Sequence, residues 1–350
     1  MRKKILLLAV ILSSCSSGYL KYNGKKNISK NVDFEDRVKI VSADTVPDSN
    51  VSNQVPAEPP SSKKKSALRT KSGTKTTKGK KSKLPVLTPV VVPSLVRLPE
   101  LEDHVGFEGD SRRPKVDPFR VGETVTHAVR YFATDAGTLI FKVKPFVEVN
   151  NRKSYNFLTD LKTSGLFSKF YSVDDQVETY VDYENLVPHV FKLHIKESAQ
   201  LKEAQSYFDH KTLKATYWEH KYTEKNGNEE KKQEWDILDF SQNAFSGIFY
   251  MRIFTWEIGK EISFRVSDDE KNIFFKATAI KKEKLTTDAG EFDAIEIKAR
   301  VVTRGALTQA GDITLWISDN DRKYILRIEA KIKIGSLISE VTHIDPGTKE

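Results

Sequence analysis

The chain has 350 residues, 38% of them hydrophobic, with 19 Phe, 12 Tyr and 4 Trp, which suffices for one large β domain or two average domains. Its one cysteine, Cys15, excludes a disulfide framework and any cysteine-based metal site or nucleophile in the body. The net charge of +9 is concentrated. Residues 61–84 contribute +10 and the first fourteen +3, so the remainder carries −4.

Taken in chain order, Arg2, Lys3 and Lys4 precede eight apolar residues, Ile5 to Leu12. That run falls well short of the roughly 20 residues needed to span a bilayer, so residues 1–14 read as a signal peptide. Leu12-Ser13-Ser14-Cys15 resembles the lipobox of bacterial lipoproteins. The resemblance implies cleavage between Ser14 and Cys15, lipid attachment at Cys15 (palmitate among its acyl chains) and a membrane partner. Ser16 follows where inner-membrane retention would have Asp, which favours the outer membrane over the inner within a cell envelope.

Residues 15–100 are expected to form a disordered tether. Residues 61–84 are low-complexity and basic, and cannot bury enough surface to offset ordering entropy. Residues 85–99 hold Pro85, Pro89, Pro93 and Pro99, a spacing suited to extended chain. The lysines from Lys63 to Lys83 form a candidate contact with an anionic envelope surface. They have no interleaved aromatics, so no nucleic-acid partner is expected.

From 101 to 345 the pattern is that of strands in a single β domain, with 346–350 a tail. Tyr324, Leu326, Ile328, Ala330, Ile332 and Ile334 alternate with charged residues, and so do Ile295, Ile297, Ala299 and Val301. Asn226-Gly227 predicts a hairpin joining 212–222 to 229–238. A helix is predicted over 241–254 from Ala244, Phe245, Ile248, Phe249 and Arg252, capped by Asp239 or Ser241. The fold class is mainly β: a large curled antiparallel sheet, barrel or half-barrel, with one amphipathic helix.

Several stretches, in order, resemble an uncharacterised family of exported bacterial proteins, domain-of-unknown-function family 3108. They are Phe119-Arg120-Val121-Gly122-Glu123, Ala136-Gly137, Phe249-Tyr250-Met251-Arg252, Thr287 to Ala294, Leu315 to Arg322, Arg327 to Ala330, and Gly335-Ser336. Tyr324 stands where the family often has Pro. The resemblance covers most of 115–342, implies a β-rich, lipoprotein-carrier-like fold, and brings no catalytic residues.

Chemistry-bearing motifs are thin. The histidines at 104, 127, 189, 194, 210, 220 and 343 are dispersed, and Asp319-Asn320-Asp321 lacks the rest of a calcium loop, so no metal or cofactor is expected. No nucleophile elbow occurs. The leading expectation is a non-enzymatic binding or assembly factor holding an apolar or lipid ligand in the sheet, with Trp316, Tyr180 and Phe249 as candidate ligand-binding residues. The alternatives are an envelope enzyme acting on cell-wall or glycolipid material, through carboxylates such as Glu123, Asp182 or Glu257, and a purely structural spacer.

Overall fold

The computed structural model describes residues 31–42, 111–303, 306–307, 313–331 and 335–348. Ser14, Cys15, the lysine run and the proline-rich stretch lie outside the described residues, as does His104.

Among the described residues, sixteen strands form one antiparallel sheet. Eight succeed one another as hairpins: β2 (Thr124–Tyr131), β3 (Thr134–Val149), β4 (Arg152–Thr163), β5 (Asp174–Asp182), β6 (Pro188–Glu197), β7 (Gln200–Asp209), β8 (Lys214–Thr223) and β9 (Gly227–Asp236). The chain then passes through a helix and returns as β10 (Glu261–Asp268), β11 (Lys271–Thr287), β12 (Gly290–Thr303), β14 (Ile313–Ser318), β15 (Ile325–Lys331) and β16 (Ser336–Asp345), with a two-residue β13 (Ala306–Leu307) beside β12. The last strand pairs with β2, Leu337 opposite Tyr131 and Asp345 opposite Thr124, which joins the two runs into one sheet.

The edge strands β9 and β10 approach each other without forming a ladder. Side chains bridge the seam: Trp235 Nε1 donates to Ser267 Oγ at 2.8 Å, and Asn272 Nδ2 donates to the Asp236 carbonyl at 2.8 Å. A short parallel bridge from Gln242 covers part of the β10 edge, its N–H donating to Arg265 O and its carbonyl accepting from Ser267 N. The sheet is therefore curled but not closed by strand pairing.

The helix is shorter than the apolar spacing predicts. Only Ser246–Tyr250 (α3) is α-helical, continued by a 3₁₀ turn at Met251–Ile253. Neither Asp239 nor Ser241 caps it. Asn243 does the local work, its Oδ1 accepting from the N–H groups of Phe245 (3.0 Å) and Ser246 (2.7 Å). These residues enter the space enclosed by the sheet. Phe249 stacks on Phe157 of β4 at 4.2 Å and meets Phe119 and Phe141, while Tyr250 and Phe254 pack on Phe264 of β10.

One part of the expected tether is ordered. Residues 31–42 form α1 (Val32–Arg37) and β1 (Ile40–Ser42), a strap on the outer face of the sheet. Asn31 caps α1 through its Oδ1. Phe34 and Val38, one turn apart, bury against Val147, Val149, Tyr180, Val190 and Trp218. Lys39 N–H donates to Asn150 Oδ1 and Asn150 Nδ2 donates to the Arg37 carbonyl, clamping both sides of the turn. β1 extends the edge of β3 beyond the end of β2, Ile40 opposite Val149 and Ser42 opposite Val147. A six-residue helix is far too short to persist alone, so burial of its apolar side, about 2 kcal/mol for a side chain such as Phe34, is what orders it. The expected tail is pinned likewise, Thr348 N–H donating to Val121 O at 2.9 Å.

Candidate functional site

At the end of the sheet where α3 enters, segment 111–123 lies over the opening. Glu123 stands at the start of β2 with 2% of its surface exposed. Arg252, at the inner end of the 3₁₀ turn, is 1% exposed and donates to both carboxylate oxygens of Glu123, at 2.6 and 3.1 Å. Arg322, from the β14–β15 turn, donates to Glu123 Oε2 at 2.5 Å. The remaining guanidinium N–H groups reach the carbonyls of Pro118, Arg322 and Pro346. The buried Arg252 and Glu123, with Arg322 half-buried beside them, would be costly without this set of acceptors. The cluster ties the first strand of the body, the plug formed by α3 and its 3₁₀ turn, and the β14–β15 hairpin into one node.

Beside it, Arg113 and the Tyr155 hydroxyl both engage Asp117, and Arg112 reaches Tyr250. Burial pushes Tyr155 above its ordinary pKa, and the Asp117 charge adds to the effect. This end of the molecule is a closed polar cap, with its charges turned on one another.

The three sequence-predicted ligand residues lie in three different places. Phe249 is inside, 1% exposed, among phenylalanines. Tyr180 faces outward beneath the strap, its hydroxyl donating to Glu178 at 2.6 Å. Trp316 points away from Leu315 and Ile317, opposite Glu296 and Arg327 in register. Beyond the bulge at Ala279/Lys281, the β11–β12 hairpin lies back across this outer face. Glu283 accepts from the Trp316 indole N–H at 2.8 Å, and Asp288 reaches Arg130 of β2 at 2.9 Å. Phe249 and Trp316 belong to one hydrophobic cluster but to opposite faces of the sheet, and Tyr180 belongs to another.

Nor is the inner face roomy around the helix. The space left between Phe119, Phe157, Val181, Leu186, Gln242, Ser246, Tyr250 and Ile253 is about 10 Å³, which is the threshold for one water. Gln242 Oε1 lines it with no hydrogen-bond partner. Side chains of α3 fill the volume that the alternation of the strands left open.

The carboxylates considered for catalysis are apart as well. Glu123 serves the two arginines. Asp182 would be raised by burial, yet hydrogen bonds from His189 and Arg152 hold it below the usual carboxylate range. Glu257 is exposed beside Lys260. A pair the sequence did not suggest, Asp175 and Glu197, meets across β5 and β6. Burial, reinforced by the Glu197 charge, raises Asp175 to about 7, and Tyr171 and Gln200 both donate to Glu197. Among the described residues, no group of three His, Cys, Asp or Glu side chains is placed to hold a metal ion.

The arginine node is carried by Glu123, Arg252 and Arg322, all within the stretches on which the family resemblance rests. A model of proteins of unknown function (DUF3108) matches residues 126–342. The chain belongs to that family. Three solved structures are similar to it at low identity. A β-barrel-like protein of the DUF1849 family from Brucella abortus has 10% identity and a TM-score of 0.40, over 65% of this chain and 98% of that one. A candidate exported protein with a YmcC-like fold from Bacteroides fragilis has 10% identity and a TM-score of 0.28, over 66% and 98%. A candidate lipoprotein from Parabacteroides distasonis has 11% identity and a TM-score of 0.29, over 66% and 99%. No curated protein matches the chain.

Sequence reasoning missed the arginine node as a unit, although one signal was present: Arg252 is the sole charge in the apolar run Ile248–Phe254. It also missed the strap, whose signal was Phe34 and Val38 at a spacing of four.

Proposed function

We propose that this DUF3108 protein is a lipid-anchored envelope protein of non-enzymatic type, a docking or assembly factor held at the membrane by an acylated Cys15. The observation that carries the reading is the strap. Only sixteen peptide steps separate Cys15 from Asn31, and sixteen extended residues span at most about 55 Å. With the strap docked, the sheet is kept within that reach of the bilayer. Residues 43–110, lysine run included, then leave the body and return to it, and serve as a loop rather than as the leash. Around α3 the described interior is taken up by the protein's own side chains, which favours the outer face and the loop ends for recognition. The lysines of 63–83 add an electrostatic attraction to anionic headgroups, and Ser16 favours the outer membrane.

Two experiments test this. Cys15→Ser abolishes acyl labelling and lowers the membrane-bound share of the protein; acyl labelling that persists in Cys15→Ser refutes the anchor. A protease site inserted within residues 61–84 of the full chain is then cut on the membrane. The fragment carrying 111–350 stays bound, because 31–42 still hold it, and a larger share of it is released when Phe34→Asp is combined with the cut. Release by cutting alone refutes the leash.

A further inference from the structure

The end of the sheet opposite the arginine node is built differently. Two neighbouring loop tips meet there, the β2–β3 turn and the β4–β5 loop with its short helix α2 (Phe167–Phe170), with Gly335 ahead of β16 beside the first. Ser164 N–H donates to Ala136 O at 3.0 Å and Gly137 pairs with Thr163, so the two tips are side by side. Their apolar residues point outward. Phe132 is 63% exposed, Leu166 59% and Phe170 71%, and the two phenylalanines are the most exposed aromatic residues among those described.

Phe132 is in the wrong place for stability. Tyr131 pairs with Thr134, so Phe132 and Ala133 make a two-residue hairpin turn, with φ of 47° and 59°. Such a turn prefers Asn-Gly, and a bulky residue in the left-handed region is strained. The ring leans on Tyr131 at 4.5 Å and on Gly335, where a Cβ would come within 3.0 Å of it, yet most of its surface remains in water. A strained, exposed aromatic gains the fold neither burial nor turn geometry, and strain kept in this way points to a task.

We propose that this end enters the headgroup layer of the membrane, with Phe132, Leu166 and Phe170 as the inserting side chains. The reading rests in part on the lipid anchor proposed above and adds which end of the body meets the bilayer. Phe132, Leu166 and Phe170 stand as separate exposed side chains on these tips, an arrangement that suits a fluid surface. Exposed Lys169 and Lys331 stand on the same rim, where Asp174 faces Lys162 and Asp135 faces Arg130, which it shares with Asp288 and Glu340. Apolar side chains flanked by lysine are the composition of an interfacial contact with anionic lipid. A leash of at most about 55 Å, attached at the strap, lets a rim one strand length away reach the surface.

The test uses the full chain with Cys15→Ser, which has no other cysteine. A polarity-sensitive dye is attached in separate proteins carrying Phe132→Cys, Phe170→Cys or, at the opposite end, Lys211→Cys. Vesicles of phosphatidylethanolamine and phosphatidylglycerol are added in about 0.5 M salt, which screens the lysine run. Emission at 132 and 170 shifts to the blue and at 211 does not. The triple variant Phe132→Asn, Leu166→Ser, Phe170→Ser loses about tenfold in salt-resistant vesicle binding, and Phe132→Asn alone leaves the melting temperature unchanged or higher. The proposal falls if neither position responds, if 211 responds equally, or if the triple variant binds as before. A blue shift that grows with protein concentration in the absence of vesicles assigns the tips to a second copy and also overturns it. The two readings fail separately: acyl labelling of the wild-type chain reports on the anchor, and the dyes report on the tips of a chain that has none.

Discussion

Replacing Arg252 by Met tests the arginine node most directly. The Met side chain fills much of the same volume among Phe119 and Tyr324, over whose rings the guanidinium lies at 5.0 and 5.6 Å, and removes the charge. Glu123, 2% exposed, then keeps only Arg322, and the carbonyls of Pro118 and Arg322 lose donors. Breaking a buried pair from one side costs about 3–5 kcal/mol, because the remaining charge stays desolvated. For a body of this size each kcal/mol moves the midpoint by roughly 2–4 °C, so Arg252→Met lowers the melting temperature by about 10 °C. The informative comparison is the cycle with Glu123→Leu. If the cost is an orphaned charge, the double variant recovers a large part of what each single variant loses, since Arg322 is partly exposed and can turn to water. Denaturant titration of the four proteins measures this. A loss under about 1 kcal/mol for Arg252→Met, or losses that simply add, would mean that the node is not structural.

Two further outcomes follow from the geometry. Phe34→Ala removes the strap's main buried side chain and weakens its docking by about 3 kcal/mol, so amide exchange within 31–42 accelerates about a hundredfold while the sheet's own protection is unchanged; equal acceleration throughout would show that the strap is part of the global fold. His127, fully buried, donates from Nε2 to the Ile325 carbonyl and accepts at Nδ1 from Ser339, and burial lowers it to about 4. A histidine neutral in the fold and charged when unfolded contributes stability that is full above about pH 6.5 and is lost as pH falls towards 4, by about 3 kcal/mol. Asp175, raised to about 7, works the other way and is stabilising at low pH. The difference between wild type and His127→Gln isolates the first effect: wild type is the more stable at pH 7.5, and the gap narrows by about 2–3 kcal/mol at pH 4.5. A gap independent of pH would contradict the buried neutral imidazole.

Much of the sheet was legible because one face of each strand meets the core and the other meets water. The alternation at Ile295, Ile297 and Ala299 falls within β12, and the hairpin expected at Asn226-Gly227 joins β8 to β9. β4 was missed because both faces of Tyr155–Thr159 are buried, inward on the plug and outward among polar groups, which erases the alternation. In β7, Lys202, Ala204 and Ser206 give the inner face no apolar row to read. The arginine node joins positions 129 and 199 residues apart, and local periodicity carries no information at that range. That Phe132 sits in a strained turn required the backbone.

The strap also sets an order of events. Residues 31–42 leave the ribosome early, but their partners arrive much later in the chain: Asn150 follows Lys39 by 111 residues, Thr216 follows Arg37 by 179, and Lys232 follows Asp33 by 199. Contacts of that separation form only after the intervening strands have paired. An anchored chain would thus begin on a long leash of about ninety residues and finish on one of sixteen, drawn in by completion of its own sheet. If the proposed anchor holds, distance from the membrane would report folding: an incompletely folded copy would stay loosely held and open to proteases and chaperones, and a finished one would be reeled to its working height.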